Sequence, residues 1–191
     1  MSELKSFEAP ADARREAPRF EIHEAQPEDA EQIADIQYAS WLVTYPNAET
    51  GITIDDLKKK LGEPQSQRER WKKIVSEQKE GRRTFVIKDG DRVLGYCLAI
   101  KGETENRIHA LYLDPKEVRR GIGSAIFSHA LEWLGGDKSV KLEVASHNER
   151  AISFYERFGF QREGEEYFYE LGEGKKLPSI DMRRPKSEPT P

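Results

Sequence analysis

Residues 118–134 read VRRGIGSAIFSHALEWL, and the residue types at the start of this stretch suit an anion. Arg119 and Arg120 bring guanidinium groups that pair with phosphate oxygens. Gly121 and Gly123 remove the Cβ atoms that would hold a ligand off the backbone. Behind them the apolar residues recur at helical spacing. A helix start leaves about four N–H groups without partners and carries partial positive charge. The chemistry this combination suggests is anion binding at a helix mouth, with pyrophosphate as the leading ligand. A purely structural reading stands beside it, in which the glycines shape a tight turn and the arginines are solvated. Two nucleotide-binding motifs fail here. Ile126 occupies the position of the third Rossmann glycine, and no Gly-Lys-Ser/Thr sequence follows to make a P-loop.

Other residues carry proton chemistry. Tyr155 shares a helical stripe with Ala151, Phe154 and Phe158, and such a stripe by spacing alone packs a core. Asn148 stands where that helix begins, a natural N-cap. His109 lies in the strand pattern NRIHALYLDP, and an imidazole is a base near neutral pH. Trp41 and Tyr45, four residues apart, sit on one face of an N-terminal helix. Cys97 is embedded in the apolar run VLGYCLAI and reads as a buried, inert thiol. His23 and His147 lack partners at metal-ligand spacing, so no metal is expected.

The elements that must position these residues follow from periodicity. RFEIHEA over 19–25 alternates as a first strand. Pro27, with Glu28 and Asp29 behind it, opens a helix that runs to about Thr44. TIDDLKKKLG is a second helix, capped by Thr53 and stopped by Gly62, and SQRERWKKIVSEQKEG is a third, closed by Gly81. Two β-rich runs surround Asp89-Gly90 as a hairpin. NRIHALYLDP is a further strand, ended by Asp114-Pro115, and the helix opened by RRGIGS follows. SVKLEVAS is a strand, NERAISFYERFG a helix, FQREGEEYFYEL a strand or strand pair, and PSIDMRR a last short strand. The order β-α-α-α-β-β-β-α-β-α-β-β specifies a mixed α/β domain, with βαβ units in its second half.

Composition sets the limits. The 191 residues carry a net charge of −4, with 35% Asp, Glu, Lys and Arg and 36% hydrophobic residues. That balance suits one domain and excludes the basic excess of a general nucleic-acid binder. No apolar run approaches the roughly 18 residues of a membrane span, and the N-terminus lacks the apolar stretch of a secretory signal. A cytoplasmic protein with no membrane partner is expected. Residues 1–18 and 185–191 are too charged and proline-rich to pack and read as disordered tails around a domain over 19–184.

The stretch ALYLDPKEVRRGIGSAIFSHALEW resembles motif A of the GNAT superfamily of acyl-CoA-dependent N-acetyltransferases. Downstream, LEVASHNERAISFYERFGF resembles motif B, with Asn148, Ala151, Tyr155, Gly159 and Phe160 at the family spacing. The two motifs span residues 107–160, and the flanking element order fits the rest of the domain. One position departs: the family pattern starts with Gln or Arg three residues before the first glycine, and here that residue is Val118. The loss is one polar side chain, since the resemblance assigns the pyrophosphate contacts to the backbone.

The resemblance implies a GNAT fold, a central twisted sheet flanked by helices. It implies acetyl-CoA as co-substrate and acetyl transfer to a primary amine by direct attack in a ternary complex. It implies that Arg119, Arg120, Gly121, Ile122, Gly123 and Ser124 bind the pyrophosphate. Leu111, Tyr112 and Leu113 would hold the pantetheine arm through their backbone, with an N–H near Leu111 as oxyanion donor. Asn148 would bond the cofactor arm. Tyr155 would protonate the leaving thiolate, and Trp41 and Tyr45 would wall the acceptor pocket. The proton of the amine goes either to His109, which by alternation shares a face with Arg107 and Leu111, or through water to Glu105 or a helix carboxylate. The C-terminal tract, with GEEYFY and then IDM, resembles bacterial polyamine acetyltransferases, and Glu163, Glu165 and Glu166 would favour a cationic acceptor. Protein-acetylating relatives share such tracts, so the acceptor is a polyamine or a protein N-terminus or lysine. The chain would act as a monomer or homodimer. The rival reading is a non-catalytic acyl-CoA-binding regulatory module, and Tyr155 with an intact base separates the two.

Overall fold

The computed structural model describes residues 20–77, 79–117 and 121–187. The tail expected over 1–18 lies outside them, as do 188–191 of the second tail and the side chains of Val118, Arg119 and Arg120. The strands are β1 Glu21–Glu24, β2 Arg82–Asp89, β3 Arg92–Ile100, β4 Asn106–Leu113, β5 Val140–Ala145, β6 Gln161–Gly172 and β7 Lys175–Arg184. The helices are α1 Ala30–Thr44, α2 Ile54–Leu61, α3 Pro64–Ser76, α4 Ile122–Leu134 and α5 Glu149–Glu156. One seven-stranded sheet runs in the order β1-β2-β3-β4-β5-β7-β6. Only the β4–β5 pair is parallel, and α4 is the crossover that a parallel connection requires.

Local signals account for most boundaries. Thr53 caps α2: its hydroxyl accepts from the Asp56 N–H at 3.2 Å while the Asp56 carboxylate accepts from the Thr53 N–H at 2.8 Å. Gly62 ends α2, and Gly90 supplies a positive φ of 58° at the β2–β3 turn. The third helix is shorter than its sequence pattern. It stops at Ser76, Glu77 leaves helical geometry at φ −92°, ψ 69°, and Gly81, at φ 74°, turns the chain into β2. The stretch 161–172 is one strand rather than two, with its pairing to β7 slipped between Glu163 and Tyr167.

The sheet divides two cores. Against one face pack Ile122, Ile126, Phe127, Ala130 and Leu131 of α4 with Ile152 and Tyr155 of α5. Against the other pack Ile33, Ala34 and Ile36 of α1 with Trp71 and Val75 of α3. Phe127 is fully buried, and its ring lies within 6 Å of those of Phe154, Tyr155, Phe158 and Phe160. Burying a side chain of that size contributes roughly 1.5–3 kcal/mol. Among the described residues, no helix is long and apolar enough to cross a membrane.

Candidate active site

The site is built where the sheet comes apart. β4 and β5 pair at Asn106–Val140 and Arg107–Lys141, and the ladder goes no further. The cause is visible one residue on. Across β3 and β4, Ala99 pairs with Ile108 and Leu98 with Ala110, so His109 is an extra residue, a β-bulge. A bulge bends its strand and increases the local twist, which turns the rest of β4 away from β5.

The bulge also corrects the face assignment made by strict alternation. Leu111 does not share a face with Arg107 and His109. Leu111 and Leu113 pack on the α4–α5 core, while Ala110 and Tyr112 pack on the α1–α3 core. Backbone directions follow from the ladder. The Asp114 N–H donates to the Leu94 carbonyl at 2.8 Å. Antiparallel bonding alternates along a strand, so Tyr112 and Ala110 direct their backbone groups at β3, and Leu111 and Leu113 direct theirs into the gap. The Leu113 carbonyl accepts from the Ser40 hydroxyl at 2.9 Å. The Leu111 N–H and carbonyl and the Leu113 N–H are therefore the backbone groups directed into the gap. Tyr112 differs from its expected role: its backbone serves the sheet.

The Tyr112 side chain instead lines a cleft of about 320 Å³ on the α1–α3 side of the gap. Its hydroxyl accepts from the Trp41 indole N–H at 3.0 Å and lies 3.1 Å from the Tyr45 hydroxyl. The Trp41 and Tyr45 rings meet edge to face at 5.0 Å. Both rings line the cleft. Burial pushes the Tyr45 and Tyr112 phenols above the ordinary range, and both stay neutral donors.

On the opposite side, α4 begins at the gap. Gly121 is its N-cap, left-handed at φ 76°, and supplies no side-chain cap. Among the described residues no side chain caps this start, which leaves the first N–H groups, of Ile122, Gly123 and Ser124, open to an anion. The Ile122 side chain is buried in the core, so its contribution is its N–H alone. Gly123 has a reason of its own. A Cβ there would stand 3.2 Å from Leu113 Cδ1, so its absence lets the helix start approach β4. The uncapped helix start and the free β4 edge fit a pyrophosphate carried on a pantetheine arm. Arg119 and Arg120 lie outside the described residues.

Asn148 caps α5, its side-chain oxygen accepting from the Ala151 N–H at 3.1 Å. Tyr155 is 8% exposed, within the aromatic cluster around Phe127. Burial pushes its phenol well above its ordinary range, and Cys97 and Tyr112 add to the rise. Burial alone raises the Cys97 thiol, which is inert. His109 lines the cleft, and burial, with the positive fields of Arg107, Arg82 and Arg70, holds its imidazole below the usual value.

A sequence model of the acetyltransferase (GNAT) family matches residues 30–160. The chain belongs to that family. The N-alpha-acetyltransferase RimI of Mycobacterium tuberculosis is 31% identical over 107 residues, covering 54% of this chain and 66% of the relative. The peptidyl-lysine N-acetyltransferase YjaB of Salmonella typhimurium is 29% identical over 100 residues, covering 52% and 63%. The chain spans less than two thirds of the length of either relative. The crystal structure of the PaiA N-acetyltransferase from Thermoplasma acidophilum, in complex with coenzyme A, superposes with a TM-score of 0.63 at 18% identity, covering 87% of this chain and 98% of that one. The mixed sheet flanked by helices is thus the GNAT fold.

The GNAT match ends at Phe160, before β6 and β7, and the acidic tract lies beyond it. None of Glu163, Glu165 and Glu166 lines the cleft, and Glu163 accepts from Arg183 across the β6–β7 pair. Glu105 likewise is held by Arg183, at 2.7 Å. The carboxylate that does line the cleft is Glu143 of β5, which accepts from the Tyr167 hydroxyl. No motif marks Glu143 in the sequence, although it falls on the same alternating face of β5 as Ala145. Arg70 and Arg82 also line the cleft, and no periodicity marks them. Among the described residues no group of three His, Cys, Asp or Glu side chains is placed to hold a metal ion.

Proposed function

We propose that this chain transfers an acetyl group from acetyl-CoA to a primary amine by direct attack in a ternary complex. The observation that carries the reading is the β4–β5 gap, which has the uncapped start of α4 on one side and the aromatic-walled cleft on the other. A donor and an acceptor can reach one point from opposite faces without crossing. Two relatives named for protein amines support an amine acceptor.

Acetyl-CoA supplies the activated thioester. The chain's residues do the rest. The N–H groups of Ile122, Gly123 and Ser124 take the pyrophosphate, and Leu111 and Leu113 hold the arm as a neighbouring strand would. The Leu111 N–H stabilises charge that develops on the carbonyl oxygen, the kind of fixed donor that is worth most where water is excluded. His109 accepts the amine proton on the cleft side, the Tyr155 hydroxyl gives a proton to the departing sulfur, and the second proton released by the nitrogen as the amide forms restores the phenol.

The test is release of free CoA thiol from acetyl-CoA as a function of added amine, with the N-acetyl product identified by mass. Release that depends on the amine is expected. Tight acetyl-CoA binding with no amine-dependent release would establish the rival reading, a non-catalytic acyl-CoA-binding module. Cofactor binding has its own test. Gly123→Ala places a methyl group 3.2 Å from Leu113 Cδ1, so the leucine side chain or the helix start must give way, and the methyl adds bulk beside the N–H groups assigned to the pyrophosphate. It is expected to weaken acetyl-CoA binding about tenfold, or 1.4 kcal/mol. Calorimetry giving an unchanged Kd in the folded variant would remove the α4 start from the cofactor site.

A further inference from the structure

The charges lining the cleft are lopsided. Among the described residues, Lys60, Arg70, Arg82 and Arg107 stand against the single carboxylate of Glu143. Lys60 has partners of its own, the Glu170 carbonyl at 2.9 Å and the Tyr169 ring. Arg107 approaches Glu143 only to 4.0 Å, and Glu143 already accepts from Tyr167. The Arg82 Nε is buried and has no hydrogen-bond partner among the described residues.

Register explains how the guanidinium groups come together. Arg82 pairs with Ile100, and Ile100 pairs with Arg107. Cross-strand partners point to the same face, so Arg82 and Arg107 stand in one row, two strand spacings or about 10 Å apart. Arg70 of α3 lines the same cleft from above the sheet. Like charges in a shared cleft repel, and a buried donor without an acceptor destabilises the empty cleft. An oxyanion placed between them offsets that repulsion and offers acceptors to guanidinium N–H groups, which match a carboxylate or phosphoryl group in two parallel hydrogen bonds. A cationic polyamine would meet the same field as repulsion.

We infer that the acceptor is a small primary amine bearing a carboxylate or phosphoryl group, held by Arg70, Arg82 and Arg107 so that its amine reaches the β4–β5 gap. This rests on the transferase reading above. The cleft, at about 320 Å³, is the size of a small-molecule site.

The experiment has a turnover arm and a binding arm. Thiol release from acetyl-CoA is measured with aminocarboxylates, aminoalkyl phosphates, the methyl esters of the aminocarboxylates, spermidine and acidic peptides. Masking the carboxylate as an ester is expected to lower kcat/KM at least tenfold. Arg82→Gln is expected to abolish that discrimination while acetyl-CoA affinity is unchanged. Between the anionic classes, whichever has the higher kcat/KM identifies the oxyanion. Preference for spermidine or for the esters would overturn the inference and leave the transferase reading intact, as would turnover of acidic peptides alone. In the binding arm, the His109 imidazole of the wild-type chain is titrated by NMR with an aminocarboxylate or aminoalkyl phosphate, without acetyl-CoA. A bound anion should raise the His109 pKa, and no change with either compound would overturn the inference. A raised His109 pKa with no turnover of any amine would instead sustain the anion site and remove the transferase reading.

Discussion

Tyr155→Phe is expected to lower kcat by about 10² to 10⁴, the range for loss of a positioned proton donor, while leaving fold and acetyl-CoA affinity in place. The packing half of this expectation is geometric. The Tyr155 ring contacts Phe127, Phe154 and Phe160, and phenylalanine keeps every one of those ring contacts. The chemical half turns on how a phenol can serve as an acid. In water a tyrosine, with a pKa near ~10, is a poor donor to a thiolate whose conjugate acid is near ~8.5. The interior changes that comparison. Burial alone raises Cys97, a thiol in the same core, far above its ordinary value. A thiolate expelled into such surroundings is a strong base, and Tyr155, itself raised by burial, keeps its proton until one appears. Steady-state kcat with acetyl-CoA, beside calorimetric Kd and thermal unfolding, decides the matter. An equal kcat in the phenylalanine variant would leave Tyr155 as a core residue.

How far this site could be read from the chain differs from one residue to the next. Trp41 and Tyr45 were legible because helical spacing puts i and i+4 on one face, and α1 keeps that spacing. Gly121 was legible because a helix start before an apolar run has a recognisable composition. Asn148 was legible as a cap, and its Oδ1 bond to Ala151 makes it one. Leu111 was misplaced for a definite reason. Alternation assumes an unbroken ladder, and the bulge at His109 shifts every later side chain of β4 to the other face. No composition rule marks that bulge. Arg70, Arg82 and Arg107 lie on α3, β2 and β4, and their convergence depends on the β2–β3–β4 register and on how α3 sits over it. Local patterns carry helices, turns and caps, whereas a cluster assembled from three elements exists only once the sheet is closed.

The second large effect is expected at His109. An acceptor amine has a pKa near ~10 and arrives protonated at neutral pH, so a base must take a proton before attack. The bulge puts His109 in the cleft, at the edge of the β4–β5 gap, among charges from every wall: Arg70 of α3, Arg82 of β2, Arg107 of β4, Lys60 of α2 and Glu143 of β5. Burial comes first among the causes that lower its pKa, the three guanidinium groups add to the fall, and Glu143 opposes them. The sign of the pH dependence follows. The imidazole must be neutral to act, and its pKa lies below the usual ~6.5, so log kcat/KM should rise through one ionisation on the acid side of that value and be level in the neutral range. His109→Gln is expected to lower kcat/KM by about 10² to 10⁴ at neutral pH and to erase the acid limb. The variant's rate should then climb with pH towards the pKa of the amine, because only the free amine fraction can react without a base. Arg82→Gln should move the wild-type limb upward by removing one of the fields that depress His109. A pH–rate profile that His109→Gln leaves unchanged would pass the role to Glu143, the carboxylate on the opposite edge of the gap, acting through water.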